Sequence, residues 1–281
     1  MDNIATDHLL LQAIKASVRA GKTILRHYDS SYTIEYKSDN SPLTIADKEA
    51  HNSITRDLDT TSLPILSEEG RNIEYDQRKQ WKRFWMVDPL DGTKEFINGN
   101  GEFTVNIALI DHSIPVMGIV YVPVWGILYF GVKEYGSFMI NLLKSEIDKF
   151  RDIQDIIKQA DRLPIVYDRK VTIMGSRSHQ TEENNRIINS FASSFNDVAI
   201  VNAGSSLKFC RMAEGAADFY SRISPTMEWD TAAGHAICKF AGVDVIVYQS
   251  DRELTYNKEN LLNPSFIAIN KNYKHLILGN R

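Results

Sequence analysis

Residues 88–96 read Asp-Pro-Leu-Asp-Gly-Thr-Lys-Glu-Phe, and they follow directly after an apolar run at residues 84–87. The pairs Asp-Pro and Asp-Gly both favour turns, so an ordinary structural turn is one interpretation. Two carboxylates three positions apart at the end of a buried strand also concentrate negative charge that cations have to offset. Hard oxygen ligands favour Mg²⁺, and the backbone N–H groups of Gly92 and Thr93 could hold a phosphate. The stretch therefore predicts either a metal–phosphate site or a structural turn.

Patterns on both sides of this stretch predict alternating helices and strands. Apolar residues recur at near-helical spacing over residues 4–29, and a second helix pattern covers 45–58. Short apolar runs at 63–66 and 84–87 predict strands that end in acidic residues, and 103–132 is rich in strand patterns. Downstream we expect a surface helix over 141–163, a strand over 165–174, and helices over 181–194, 206–215 and 231–240. This alternation favours a layered α/β or α+β architecture.

The charge balance limits the classes of partner. The chain has 281 residues, 36 acidic and 32 basic, which gives a formal net charge of −4. A general nucleic-acid or anionic-membrane binder needs a cationic surface, so we expect neither. A small anionic ligand is compatible with this charge, because a local metal site can reverse the local sign.

Two features bear on compartment. Residues 113–132 carry no charge and are long enough to span a membrane, but they contain prolines and glycines among β-branched and aromatic residues. That mixture predicts short buried strands joined by turns. The first residues lack the basic and apolar regions of a signal peptide. We therefore expect a cytosolic chain in which Cys210 and Cys238 are buried, reduced thiols.

Four motifs in a fixed order carry a resemblance to a known family. They lie at residues 39–47, 67–70, 88–96 and 229–234. Together they resemble the signature of the inositol monophosphatase superfamily of Mg²⁺-dependent, Li⁺-sensitive phosphatases, over nearly the whole chain. Lys94-Glu95 in the central motif, with residues 175–179, 204–210 and 220–222, is similar to the CysQ-type 3′(2′),5′-bisphosphate nucleotidases within that superfamily.

The resemblance implies a fold and an activity. The fold would be a layered αβαβα sugar-phosphatase-like α/β structure with two tightly packed subdomains. Residues 1–163 would carry most metal ligands, and residues 164–281 would contribute Asp230 and the nucleotide contacts. The activity would be Mg²⁺-dependent removal of the 3′-phosphate from adenosine 3′,5′-bisphosphate, in support of sulfate assimilation, with 3′-phosphoadenylyl sulfate as a second candidate substrate. Two or three Mg²⁺ ions would be the cofactor.

The same resemblance implies a role for each site residue. The metal ligands would be Glu68, Asp88, Asp91, Asp230 and the carbonyl of Leu90. The catalytic residues would be Thr93 and Asp47, which activate the attacking water, together with Glu68. The phosphate would contact Asp91, Gly92 and Thr93. The substrate contacts would be Glu68, Leu90, His179, Ser205, Lys208, Arg222 and Asp230.

Plainer roles remain open for several of these residues. Glu68 could be a solvated turn residue, and Asp230 could be the N-cap of a helix that begins at Thr231. Lys208 and Arg222 suit a second phosphate, as a point charge and a planar fork, although isolated cations are usually solvated surface residues. In contrast, Cys210, Cys238 and His235 lie in helix patterns and are predicted to be packing residues.

Two other functions compete with the nucleotidase interpretation. One is a sugar phosphatase of the inositol-monophosphatase or fructose-bisphosphatase type, and the other is a non-catalytic nucleotide or cation sensor. We expect a small-molecule nucleotide partner, no nucleic acid and no transmembrane segment, and the oligomeric state is open. The resemblance leaves peripheral association with the cytoplasmic side of the inner membrane open, but no basic amphipathic segment here supports such binding. The polar segment 142–163 matches the family least.

Overall fold

The structure is a computed structural model that describes residues 3–28, 35–36, 42–142, 147–176 and 181–278. Its helices within these ranges are α1 (Asn3–Tyr28), α2 (Ile45–Leu58), α3 (Tyr75–Arg78), α4 (Thr93–Ile97), α5 (Ile153–Ile157), α6 (Glu182–Ala192), α7 (Leu207–Glu214), α8 (Glu228–Phe240) and α9 (His275–Leu278). Short 3₁₀ turns occupy Asp59–Thr61, Ile147–Lys149 and Lys271–Tyr273.

The strands of the described ranges form two large sheets and one small antiparallel pair, which consists of β1 (Glu35–Tyr36) and β2 (Pro42–Leu43). The first large sheet has seven strands in chain order: β3 (Ile65–Ser67), β4 (Arg83–Asp91), β5 (Thr104–Asp111), β6 (Ile114–Val122), β7 (Ile127–Val132), β8 (Gly136–Asn141) and β9 (Asp161–Leu163). Only the β3–β4 pair of this sheet is parallel.

The second large sheet has five strands and a mixed topology. Its members are β10 (Val171–Ser176), β11 (Val198–Ala203), β12 (Phe219–Arg222), β13 (Val243–Val247) and β14 (Phe266–Asn270). They lie in the order β11-β10-β12-β14-β13. The β10 pairings are parallel, and the β14 pairings are antiparallel.

Helices cover the sheets in alternating layers. Side chains of successive strand residues point to opposite faces, so Trp85 and Val87 of β4 pack with α1 and α2, whereas Phe84 and Met86 pack towards α7 and α8. The far side of α7 and α8 meets one face of the five-stranded sheet, and α6 packs on its other face. The molecule is therefore a layered αβαβα structure, as predicted.

Helix α8 lies directly on the seven-stranded sheet. A Cβ atom added at Gly118 of β6 would come within 2.2 Å of the carbonyl oxygen of Ala233 in α8. Real Cβ atoms do not approach this closely, so only glycine permits the observed contact at this position. The close approach fixes the middle of α8 against the sheet.

Most predicted elements are confirmed, and one is wrong. The uncharged stretch 113–132 forms β6 and β7, and α1 and α2 match their predicted spans closely. The single surface helix predicted over 141–163 is not formed: the described residues there contain a 3₁₀ turn, the five-residue α5 and strand β9. Apolar residues spaced along a polar segment are compatible with a helix or a strand. At Asp161–Leu163 the pairing of β9 with β8 gives a strand. The strand predicted over 165–174 begins later, at Val171.

None of the helices in the described ranges is both long enough and apolar enough to cross a lipid bilayer. Both cysteines are free and buried, as expected. His235 is also buried, with its Nδ1 atom 2.9 Å from the hydroxyl of Tyr256, which confirms a packing role.

Candidate active site

Two predicted metal ligands lie side by side where the pairing of the parallel strands β3 and β4 ends. Ser67, the last residue of β3, pairs with Val87. The next residue, Glu68, donates its backbone N–H to the Val87 carbonyl at 3.1 Å, so Glu68 lies beside Asp88. Asp88 is only 1% exposed. The end of this parallel pair therefore places two acidic residues side by side, and Asp88 is the buried one.

The β4 strand then bulges, which changes the direction of the following carboxylate. The register of β4 with β5 shifts between Asp88 and Asp91, and the N–H of Leu90 donates to Asp88 Oδ1 at 3.0 Å. Bulges of this type re-aim side chains next to functional sites. Gly92 follows with φ of +91°, a left-handed conformation that favours glycine, and α4 begins at Thr93.

Asp91 is held by residues from both halves of the chain. Its Oδ2 atom accepts a 2.6 Å hydrogen bond from the backbone N–H of Ser206 and a 3.3 Å bond from the Asn106 amide on β5. The same Asn106 amide donates to Ser206 Oγ at 2.9 Å, and Ser206 Oγ donates to the Asp230 carbonyl at 2.8 Å. Asn106 and Ser206 were not among the predicted site residues, although register with Asp88 places Asn106 at the site.

Asp230 reaches the site from the first turn of α8, but it is not the N-cap. The helix begins at Glu228, and the Asp230 carboxylate accepts the backbone N–H of Met227 at 2.8 Å. The predicted N-cap position before Thr231 is therefore wrong by three residues. One Asp230 oxygen caps the helix by accepting the Met227 N–H. The negative charge of the Asp230 carboxylate and those of Asp91 and Glu68 repel one another.

The charges of these four carboxylates converge. Burial, followed by repulsion from Glu68, Asp91 and Asp230 and a hydrogen bond shared with Glu68, raises the pKa of Asp88 well above its ordinary value. Burial and repulsion from Asp91 and Glu68 likewise raise the pKa of Asp230. Such mutual repulsion in a buried site is what a bound cation would offset.

The donor set fits a hard divalent cation. Carboxylate and carbonyl oxygens are the ligands that Mg²⁺ prefers, and the four carboxylates supply them from the β3 and β4 ends and from α8. Among the residues described here, no three His, Cys, Asp or Glu side chains already form a complete coordination group. Oxygens of Asp88, Asp91 and Asp230 are instead bonded to backbone N–H groups.

The predicted Asp47–Thr93 pair meets at hydrogen-bond distance. Thr93 Oγ1 donates to Asp47 Oδ1 at 3.2 Å and lies 3.4 Å from the Leu90 carbonyl. Asp47 is buried on α2, and its other oxygen accepts the backbone N–H and the hydroxyl of Thr44 at 2.7 and 2.6 Å. These bonds fix the Asp47 carboxylate so that its first oxygen faces Thr93.

The predicted nucleotide contacts lie beside this cluster, on the second half of the chain. Ser205 has φ of +45° and lies 2.9 Å from the Thr104 hydroxyl on β5. Lys208 is buried and donates to the Ser205 and Ala203 carbonyls at 2.7 and 3.3 Å, so it is not a solvated surface residue. Burial lowers the pKa of Lys208 to about 8. His179 lies outside the described residues.

Arg222 has an unusual environment at the end of β12. Its Nη2 atom makes one long contact, 3.4 Å to the Pro225 carbonyl, and its buried Nε atom has no hydrogen-bond partner in the described part of the chain. The Arg222 charge also helps to lower the pKa of Lys208, so the two cations act on one region. This region could accept an anion.

The layered αβαβα fold and the four acidic residues of the site point together to one protein family. Residues 6–280 match the inositol monophosphatase family, and the chain belongs to it.

Relatives with assigned names are similar over most of the chain. The 3′(2′),5′-bisphosphate nucleotidase CysQ of Salmonella typhimurium is 41% identical over 263 residues, which cover 92% of this chain and 98% of the relative. CysQ of Haemophilus influenzae is 32% identical and covers 94% and 93%. The solved structure of CysQ from Bacteroides thetaiotaomicron has 45% identity and a TM-score of 0.87, covering 93% and 97%. An inositol monophosphatase from Thermotoga maritima shares the fold at 20% identity and a TM-score of 0.72.

Proposed function

We propose that this chain is a Mg²⁺-dependent 3′(2′),5′-bisphosphate nucleotidase. It removes the 3′-phosphate of adenosine 3′,5′-bisphosphate, giving AMP and phosphate, and thereby supports sulfate assimilation in the cytoplasm. The similarity to CysQ over more than nine-tenths of the chain carries this proposal. 3′-Phosphoadenylyl sulfate, which has the same 3′-phosphate, is a second candidate substrate.

The carboxylates at the strand ends are proposed to hold the metal. Glu68, Asp88, Asp91 and Asp230, with the Leu90 carbonyl, would bind two or three Mg²⁺ ions. When bound, Mg²⁺ lowers the pKa of water and offsets negative charge on phosphate oxygens. The raised pKa values of Asp88 and Asp230 support this proposal, because their repulsion is the condition that a dication relieves.

Thr93 and Asp47 are proposed to activate the attacking water. Because Thr93 Oγ1 donates its own proton to Asp47, an oxygen lone pair is left to accept a proton from water. As Thr93 takes this proton from water, it passes its own proton to Asp47. The water oxygen forms a bond to the 3′-phosphorus while the bond from phosphorus to the 3′-oxygen breaks, and a proton from solvent completes the 3′-hydroxyl. General-base assistance of this kind contributes about 10²- to 10⁴-fold.

The two phosphates of the substrate are proposed to meet different residues. The backbone N–H groups of Gly92 and Thr93 lie next to Asp91 and would hold the reacting phosphate. Arg222 and Lys208 would bind the 5′-phosphate, and the unpartnered Nε of Arg222 supports this role. Ser205 and His179 are proposed to contact the ribose and adenine.

We also propose the division into subdomains 1–163 and 164–281. The seven-stranded sheet lies within the first and the five-stranded sheet within the second. The bond between the Ser206 N–H and Asp91 joins the two at the proposed site.

Arg222 offers a test that separates the nucleotidase from its rivals. Arg222→Ala should reduce kcat/KM for adenosine 3′,5′-bisphosphate by about 10-fold or more, because a charge-assisted phosphate contact contributes roughly 1.5–3 kcal/mol. The same variant should leave hydrolysis of adenosine 3′-monophosphate nearly unchanged. Equal loss on both substrates would refute the 5′-phosphate role. A sugar phosphatase would prefer inositol 1-phosphate, and a sensor would hydrolyse none of the three.

A further inference from the structure

A segment far along the chain links α8, which carries Asp230, to α3, which precedes the strand that carries Asp88. We call residues 255–262 the strap. On one side it contacts α3, which lies shortly before β4 and Asp88. On the other side it contacts the first turn of α8, which carries Asp230.

Arg78, the last residue of α3, binds the strap through both Nη atoms of its guanidinium. Its Nη1 donates to Asn257 Oδ1 at 2.9 Å and to the Lys258 carbonyl at 2.6 Å, and its Nη2 donates to the Glu259 carbonyl at 2.7 Å. The Asn257 amide returns a 2.7 Å bond to the Arg78 carbonyl. Arg78 is only 3% exposed, so these bonds are shielded from water.

Glu228, the first residue of α8, binds the same part of the strap from the other side. Its carboxylate accepts the backbone N–H groups of Asn257 and Lys258 at 2.5 and 3.0 Å and the Lys258 ammonium at 2.5 Å. Its own N–H donates to the Leu261 carbonyl at 2.9 Å. Glu228 is fully buried. A buried carboxylate with this many donors is a rigid anchor.

The anchors act at the first turn of α8, which carries Asp230. The middle of α8 is fixed by its contact with Gly118, but Asp230 lies in the first turn, beyond that contact. A metal site needs its ligands held within a fraction of an ångström, and the supporting bonds supply that precision. Arg78 and Glu228 touch consecutive residues of one short segment, so the strap fixes the α8 start relative to the end of α3.

We infer that Arg78 and Glu228 are positioning residues for Mg²⁺ binding: through the strap they hold Asp230 at the correct distance from Asp88. The inference rests on the metal ligands of the proposed function. A residue with a purely structural role would change stability without changing the affinity of the folded protein for Mg²⁺.

The test measures Mg²⁺ binding by calorimetry on the substrate-free full-length protein. Arg78→Ala and Glu228→Gln should each raise the Mg²⁺ dissociation constant about 10-fold or more, the range found for residues that support metal ligands. The matched control is Arg83→Ala, which removes the part-buried ion pair of Arg83 with Asp111 on β4 and β5 and contacts neither the strap nor the carboxylates. Its dissociation constant should stay within about twofold of wild type.

A milder variant covers the case in which Arg78→Ala does not fold. Asn257 has φ of +69°, so Asn257→Gly keeps the backbone conformation and removes only the side-chain bonds to Arg78. Asn257→Gly should also raise the Mg²⁺ dissociation constant. Wild-type affinity in folded Arg78→Ala, or in Asn257→Gly, would overturn the inference and leave the proposed function intact. Failure of the wild-type protein to bind Mg²⁺ would overturn the metal assignment itself.

Discussion

Replacing Asp88 by Asn should have opposite effects on the metal-free and the Mg²⁺-bound protein. The Asn side chain keeps an oxygen that can accept the Leu90 N–H, so the bulge is preserved. What it removes is a buried group whose ionised form is repelled by Glu68, Asp91 and Asp230. The metal-free protein should therefore become no less stable, whereas Mg²⁺ should lose a ligand.

The magnitudes follow from these contacts. Two unit charges 4 Å apart repel by about 1 kcal/mol in water and by about 4 kcal/mol at the lower effective dielectric constant of a protein. Relief of the repulsions on Asp88 should therefore raise the metal-free free energy of unfolding by at least about 1 kcal/mol at pH values where Asp88 is ionised. Mg²⁺ at 100 times its dissociation constant stabilises the wild-type protein by about 2.7 kcal/mol, which corresponds to roughly 5–10 °C in Tm. A 100-fold weaker site in the variant leaves only about 0.4 kcal/mol at the same concentration.

The assay is thermal and urea unfolding, with and without Mg²⁺. The matched control is Glu214→Gln, the same chemical change at a buried carboxylate that instead binds Tyr129, Tyr167 and Arg211. It should lose about 1–3 kcal/mol in both conditions and keep the full Mg²⁺ increment. An undiminished Mg²⁺ increment in Asp88→Asn would refute the reasoning.

Three further outcomes are expected. Thr93→Val should lower kcat by about 10²- to 10⁴-fold with Mg²⁺ affinity unchanged; steady-state phosphate release checks this, and a kcat within a few-fold of wild type would contradict it. The pKa values of Asp88 and Asp230 are raised, so above about pH 4 the folded state binds more protons than the unfolded state and the metal-free free energy of unfolding should fall as pH rises. Urea unfolding from pH 5 to 8 tests this sign, and the decline should be smaller in Asp88→Asn. Gly118→Ala should cost about 1–3 kcal/mol, because its Cβ would overlap the Ala233 carbonyl; unchanged urea unfolding would argue against the close approach of α8.

Local sequence signals were sufficient where local chemistry determines the structure. The uncharged stretch 113–132 carries prolines and glycines that exclude a membrane helix, and it forms β6 and β7. The acidic residues that end the predicted strands lie where β3 and β4 end, since strand ends are marked by a change from apolar to polar residues. The pairing of Thr93 with Asp47 came from the family resemblance, and no spacing rule could have supplied it.

Other features depend on contacts between distant residues. The start of α8 was misplaced because Asp is a favoured N-cap, whereas the strap binds Glu228 and fixes the first turn earlier. Asn106 carries no local signal in a strand, and only its register with Asp88 brings it to the site. The segment 141–163 contains β9, whose pairing with β8 is not encoded in its own periodicity.

The most direct test of the proposed function is the identity and rate of the product. With Mg²⁺ present, wild-type protein should convert adenosine 3′,5′-bisphosphate to 5′-AMP and inorganic phosphate, and faster than it releases phosphate from inositol 1-phosphate. Formation of 3′-AMP, or faster hydrolysis of the inositol ester, would contradict the assignment as a 3′(2′),5′-bisphosphate nucleotidase.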